Sequence, residues 1–256
     1  MDLHLRDKTA LVTGSSKGIG RAVAELLAEE GCHLHLTART ASDLEDTAEA
    51  IRSARGVSVT THPLDLSERG APEALAAAVD PIDILVNNAG AIPAGDLDHV
   101  DEDAWRTAWD LKVFGYINLI RAVYPAMRGR GEGVIVNMIG TGGERPTAAY
   151  IAGAGGNASL MAFTRAMGGR SPDDGIRVVA VNPGPVETER YETQSRRRAE
   201  MAGEDPDTWR ERLTGMPFGR ICQPAEVADI VGFLASPRAG YITGTVVTID
   251  GGLVSR

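Results

Sequence analysis

The chain has 256 residues, 43% of them apolar and 24% charged, with 30 glycines and a formal net charge of -9. That length supports one large domain with a sizeable core, and the composition excludes collagen-like, low-complexity and disordered classes. The acidic balance argues against a nucleic-acid or anionic-membrane partner, because such surfaces are bound through a basic face that releases counterions.

Two cysteines, Cys32 and Cys222, stand without CxxC spacing and read as core thiols rather than as a disulfide or zinc framework. The charged stretch 1–8 lacks the apolar core of a signal peptide, and no run reaches the roughly 18 apolar residues of a membrane span. The expected location is the cytoplasm, and the expected partner is a small molecule.

Seven short apolar, β-branched runs occupy 9–13, 33–37, 57–63, 82–87, 134–138, 177–182 and 245–249, separated by longer helical patterns. Runs that are apolar throughout, rather than alternating, suit strands covered on both faces. The expectation is therefore an α/β fold: a doubly wound (Rossmann) seven-stranded parallel sheet flanked by helices, in one domain over 1–256. A first helix starts at Gly18, carries Ile19, Val23, Leu26 and Leu27 at helical spacing, and stops at Gly31. A fourth, spanning about 102–127, sets Trp105, Trp109, Val113, Tyr116, Ile117 and Ile120 on one stripe. Segment 189–215, with clustered arginines and acids and Pro206, predicts an inserted helical flap over the substrate site.

Between the first strand and helix lies Thr13-Gly14-Ser15-Ser16-Lys17-Gly18-Ile19-Gly20, where small residues let backbone N–H groups approach a pyrophosphate at the positive end of the helix. Asn87-Asn88-Ala89-Gly90 follows the fourth strand. Pro183-Gly184, with Val186 and Thr188, follows the sixth, and Ile249-Asp250-Gly251-Gly252 closes the seventh.

In this order the motifs resemble those of the short-chain dehydrogenase/reductase family over nearly the whole chain. The resemblance implies a nicotinamide dinucleotide held by Gly14, Ser16, Lys17, Gly18, Ile19 and Gly20 at the diphosphate and nearby ribose. It gives Asp65 and Leu66 to the adenine, and Asn87, Ala89 and Gly90 to the central ribose. Pro183, Gly184, Val186 and Thr188 go to the carboxamide end. It also implies a homo-oligomer, dimer or tetramer, paired through the helix that carries Trp105 and Trp109, although core burial explains those two rings equally well.

An acidic residue ending the second strand would hydrogen-bond a ribose 2'-hydroxyl, but this chain has Ala38-Arg39 there. With Lys17 facing the same corner, two cations can hold a 2'-phosphate, which favours NADP(H) over NAD(H). The competing reading is that both are solvated surface charges.

The family's proton relay is absent. In it a tyrosine exchanges a proton with the substrate oxygen, a lysine four residues on lowers the tyrosine's pKa, a serine orients the substrate, and an asparagine anchors a water. Ile135-Val136-Asn137 sets the serine position at Gly140, and Phe163-Thr164-Arg165-Ala166 sets the tyrosine and lysine at Gly153 and Asn157. Trp109-Asp110-Leu111-Lys112 puts Lys112 at the asparagine position. An unassisted tyrosine is ionised to only about one part in a thousand at pH 7.

One reading lets Tyr150, three residues before Gly153, donate the proton into space that glycine leaves, with Lys112 supplying charge and Asn157 keeping the ribose contact. The other makes Tyr150 a packing residue and Lys112 a lysine paired with an acid such as Glu144. The functional expectation is an NADP(H)-dependent oxidoreductase acting on a carbonyl or alcohol. The alternatives are an NADP(H)-binding sensor or scaffold, and a lyase or isomerase using Lys112.

Among the remaining candidates, His33 and His35 alternate on one strand but lack a third metal ligand, so no metal is expected. Arg196-Arg197-Arg198 could meet an anion, or be a solvated face paired with Glu192, Glu200 and Glu204. Gln223-Pro224 reads as a helix cap.

Overall fold

The computed structural model describes residues 1–79 and 81–256, the side chain of Arg212 excepted. Seven strands, β1 (Thr9–Thr13), β2 (His33–Ala38), β3 (Val59–Pro63), β4 (Ile84–Asn87), β5 (Gly133–Met138), β6 (Ile176–Pro183) and β7 (Val246–Ile249), form one parallel sheet in the order β3-β2-β1-β4-β5-β6-β7. The order reverses between β1 and β4, and in open α/β sheets the crevice at that reversal takes the ligand. The predicted strands all occur, with starts shifted by up to two residues.

The helices are α1 (Gly18–Glu29), α2 (Ala41–Arg55), α3 (Ala71–Val79), α4 (Glu102–Trp109), α5 (Gly115–Arg130), α6 (Ile151–Arg170), α7 (Glu189–Met201) and α8 (Pro224–Ala235). Adjacent strand residues point to opposite faces, yet Leu11 and Val12 are both fully buried, because each face has its own helical cover. Val12, Val86, Val136 and Val179 pack against Val23, Leu27, Val227 and Val231 of α1 and α8. On the other face Leu11, Leu85, Ile135 and Val178 pack against Leu75, Leu119, Ile120 and Met127 of α3 and α5. Each such side chain contributes about 1.5–3 kcal/mol of burial.

The helix expected over 102–127 is divided. Between α4 and α5, residues Asp110–Phe114 form a π turn in which the Gly115 N–H reaches back five residues to Asp110 O. The wider turn buries Leu111, Lys112 and Val113 together. An apolar stripe read at helical spacing does not register one inserted residue. Trp105 and Trp109 lie 6.2 Å apart, and Trp109 Nε1 donates to Ala152 O at 2.9 Å, so the pair packs onto α6 within the chain.

Cys32 is a core thiol, but Cys222 is only half-buried, at the start of the return to α8. His35 meets His62 on β3 at 2.9 Å rather than His33. The predicted cap forms: Gln223 N–H donates to Glu226 Oε2 at 2.8 Å. No described helix is long and apolar enough to cross a membrane.

A Cβ at Gly168 of α6 would overlap the backbone of Gly244 and crowd Val178 O. Gly168→Ala is therefore expected to lower unfolding free energy by about 1–3 kcal/mol, read from urea midpoints at unchanged slope.

Candidate active site

The turn after β1 is tied down from three sides. Gly14 N–H donates to Thr37 O at 2.7 Å, and Thr47 Oγ1 donates to Ser16 O at 3.1 Å. Asn88 Nδ2 reaches Thr13 O at 3.0 Å and Gly14 O at 3.1 Å, while Thr13 Oγ1 accepts from the N–H groups of Asn88 and Ala89, both at 2.9 Å. Gly14 and Gly18 have φ of +65° and +58°, a region side chains disfavour. A Cβ on Gly20 would collide with Gly14 O and the Asn88 amide. Ile19 packs its side chain toward the core behind the turn. No side chain caps the start of α1 after Lys17, so its first N–H groups are available to an anion. The cradle therefore fits a dinucleotide diphosphate. Asn88 holds it in place, a role the Asn-Asn doublet only hints at.

The other cofactor candidates are distributed along the strand ends. Gly184 lies against Asp250, its N–H donating to Ile249 O at 3.0 Å, and Pro183 ends β6. Val186 is buried. Thr188 caps α7 by accepting the Tyr191 N–H at 3.2 Å, with its methyl group facing Gly18 across the crevice. Asn87 differs from expectation in orientation: its buried side chain donates to Asn137 Oδ1 at 3.0 Å and ties β4 to β5. Leu66 is a core residue, and Asp65 Oδ1 accepts from Ser67 N and Oγ at 2.9 and 2.7 Å.

Lys17 and Arg39, expected at one corner, have separate partners. Lys17 Nζ pairs with Glu189 of α7 at 3.0 Å, whereas Arg39 Nη1 lies 3.9 Å from Asp65 Oδ2 and is well exposed. The flap, α7 followed by a 3-10 turn over Pro206–Gly215, engages the body through this ion pair, through Arg190 to Gly90 O and Ile92 O, and through Gln194 to Ile92 O at 3.1 Å. Within the flap Arg196 pairs with Glu192 and Asp207, so it is not a free anion site.

Lys112, Gly140, Gly153 and Asn157, where the motif register sets the family's catalytic groups, lie beyond the ends of β4 and β5. Tyr150 immediately precedes α6, and its carbonyl accepts the Ala154 N–H at 2.8 Å, so the helical turn does reach back to it. A Cβ on Gly153 would fall on Cε1 and Cζ of Tyr150: the phenol ring fills the volume where a side chain at 153 would begin. Its hydroxyl makes no hydrogen bond to any described residue. Gly142 lies 3.1 Å, by its Cβ position, from Tyr150 Cδ1 and 3.5 Å from Asn157 Nδ2. Gly140 has φ +129° and lies 3.2 Å, on the same measure, from Asn157 Nδ2. Asn157 is 2% exposed, and its Oδ1 has no partner.

Lys112, 8% exposed, donates through Nζ to Ile139 O at 2.5 Å. Among the described residues it has no carboxylate partner, and Glu144 accepts from Thr248 Oγ1 instead. Burial, followed by the nearby Arg190 charge, brings its pKa down to about 7. Burial thus works against its charged form, which sequence reasoning did not foresee. Nearby, Tyr116 donates to Met138 O at 3.0 Å, and burial pushes its phenol far up, so it stays protonated.

Residues 14–254 match the family described as enoyl-(acyl carrier protein) reductase. Galactitol 2-dehydrogenase (L-tagatose-forming) of Cereibacter sphaeroides is 36% identical over 95% of this chain and 93% of its own length. A 3-oxoacyl-(acyl-carrier-protein) reductase of Vibrio cholerae is 34% identical over 98% and 99%. The L-sorbose reductase of Gluconobacter frateurii, solved with NADPH and L-sorbose, superposes with a TM-score of 0.91 at 31% identity, covering both chains fully. The chain is a short-chain dehydrogenase/reductase.

For this short-chain dehydrogenase/reductase, the seven-stranded parallel sheet is the one the motifs implied. Arg190, Asn88 and the buried amides of Asn137 and Asn182 were missed. Gly140 N–H donates to Asn182 Oδ1 at 2.8 Å, and Asn137 Nδ2 to Thr164 Oγ1 at 3.0 Å. Paired amides on three neighbouring strands look in sequence like ordinary strand ends. Among the described residues, no three His, Cys, Asp or Glu converge on a possible metal site.

Proposed function

We propose that the chain is an NADP(H)-dependent oxidoreductase interconverting a carbonyl and an alcohol on a small substrate, with Tyr150 as the proton-exchanging group. The observation that carries this reading is the Tyr150 ring seated over Gly153, inside the volume that a side chain at 153 would take. The bound nicotinamide supplies or accepts the hydride at the substrate carbon. Gly14, Ser16, Gly18, Ile19 and Gly20 hold the diphosphate and nearby ribose, and Asp65 and Leu66 flank the adenine. Asn87, Ala89 and Gly90 line the central ribose, Asn157 holds the nicotinamide ribose, and Pro183, Gly184, Val186 and Thr188 surround the carboxamide.

In reduction, the Tyr150 hydroxyl gives its proton to the substrate oxygen and is reprotonated from solvent. Lys112 in its charged form favours the tyrosinate so left. Steady change in nicotinamide absorbance with a ketone or alcohol supports the enzyme. Cofactor binding without turnover across a broad substrate screen supports a sensor instead, a reading favoured by the four substituted positions. The relatives are named as reductases and dehydrogenases, which supports catalysis.

The preference for NADP(H) rests on Arg39, whose loose contact with Asp65 is readily exchanged for a 2'-phosphate, and on relatives solved with NADPH. Lys17 is a second phosphate ligand once it leaves Glu189. Arg39→Ala is expected to weaken NADPH binding about tenfold and NADH binding little, measured by fluorescence titration. Tighter binding of NADH than NADPH by the unaltered protein would overturn the preference. Exposed Phe114 and the alanines 158, 162 and 166 on α6 support a homo-oligomer.

A further inference from the structure

Two cations converge on Gly90 without a carboxylate between them. The Lys112 side chain runs beneath Gly90, with Cδ 3.0 Å from where a Gly90 Cβ would stand, and the Gly90 carbonyl accepts from Arg190 of the flap. Lys112 forms the floor and is nearly buried, whereas Arg190 is at the exposed rim. Among the described residues, the hydrogen-bond partners of both groups are backbone carbonyls: Ile139 O for Lys112, Gly90 O and Ile92 O for Arg190.

The carboxylates on the surrounding elements are directed elsewhere. Glu189 goes to Lys17, Glu192 to Arg196 and Arg210, and Glu144 to Thr248. A carbonyl satisfies one N–H of an ammonium and neutralises none of its charge, so the two cations repel across a region of restricted solvent. Asn182 Nδ2, fully buried on the same strand end, also lacks an acceptor. Three donor groups therefore stand at the end of β4, β5 and β6 with unused hydrogen-bonding capacity and no anion, beside the side-chain-free positions Gly140 and Gly142.

We propose that the substrate carries a carboxylate, bound between Lys112 on the floor and Arg190 at the rim, so that this chain acts on a small oxo or hydroxy acid. This substrate class rests on the oxidoreductase function proposed above. The carboxylate supplies the missing countercharge, keeps Lys112 protonated, and draws the first turn of α7 down over the strand ends. A neutral polyol or ketone would leave both charges uncompensated. Lys112 thus has a recognition role in addition to the electrostatic one proposed above.

The test uses the NADP⁺-loaded protein, in which an oxo acid binds without being reduced. Calorimetric titration compares linear 2-oxo acids of increasing chain length with their methyl esters, and NADPH oxidation is followed with the same compounds. The expected result is that at least one acid binds about tenfold or more tightly than its ester, and is turned over in preference to it. Lys112→Met is expected to remove that tenfold advantage, Lys112→Arg to retain part of it, and both to leave NADP⁺ affinity within about twofold.

Esters or neutral ketones bound and reduced as well as the acids would overturn the proposal while leaving the oxidoreductase function standing. An acid advantage that survives Lys112→Met overturns the assigned site. The comparison of acid with ester on the unaltered protein does not depend on any variant folding. Failure to bind NADP(H), or binding with no turnover of any acid, ester, ketone or alcohol, counts instead against the function on which the proposal rests.

Discussion

Lys112→Met is expected to make the free protein more stable, by about 2 kcal/mol near neutral pH, and to raise its melting temperature by roughly 5 °C. The cause is the cost of burying an ammonium whose one hydrogen-bond partner among the described residues is a carbonyl. The folded pKa is about 7 against 10.5 for the ordinary side chain. Between those values the folded chain binds fewer protons than the unfolded one, so stability of the unaltered protein rises with pH across that window. Below pH 7 both states carry the charge, and the full cost of burial is present.

Methionine has a similar length and no charge, so its advantage is largest at or below pH 7 and shrinks steadily toward pH 10. Loss of the hydrogen bond to Ile139 O offsets part of the gain. The charged neighbours are Arg190 on α7, and the titratable ones are Tyr116 on α5 and Tyr150 before α6. Burial pushes the Tyr116 phenol upward, so it stays protonated across the profile. Thermal melts at pH 6 to 9 check this. A variant less stable than the unaltered protein at pH 6 would show that Lys112 is a structural residue. Retention of a destabilising group at a ligand site is the usual trade of stability for function.

Tyr150→Phe is expected to lower turnover by about a hundredfold or more while leaving NADPH affinity unchanged, the loss typical of a general acid. Phenylalanine keeps the ring over Gly153 and removes only the hydroxyl. Gly153→Ala is the complementary change, because its methyl group displaces the ring on Cε1 and Cζ. It is expected to reduce turnover about as much with the hydroxyl still present. If Tyr150→Phe leaves turnover intact, the ring is packing and the proton comes from another group. If Gly153→Ala alone leaves it intact, the position of the ring is not what matters. Both variants are read in single-turnover experiments with saturating NADPH, so that product release does not mask the chemical step.

Much of the framework was legible because its signals are local. Strand runs such as 9–13 and 134–138 are continuous in sequence, and glycines at 14, 18 and 20 are required by backbone conformation and close approach within one turn. Gly140, Gly153 and Asn157, which the ungapped spacing relates, lie at one end of the sheet. What the sequence did not show depended on long-range contacts. Lys17 found Glu189, Glu144 found Thr248, and Asn87 found Asn137, each across a separation that no spacing rule encodes.

The sequence by itself determined a parallel doubly wound sheet, the glycine turn after its first strand and the family, since apolar periodicity, glycine geometry and motif order are properties of short segments. Only the tertiary structure decided that the Tyr150 ring fills the volume over Gly153 and that a π turn buries Lys112 under Gly90. The same packing brings Arg190 back from the flap to the same carbonyl. These are packing outcomes among elements separated by up to 100 residues, and burial, which lowers the Lys112 pKa, exists only once those elements have come together.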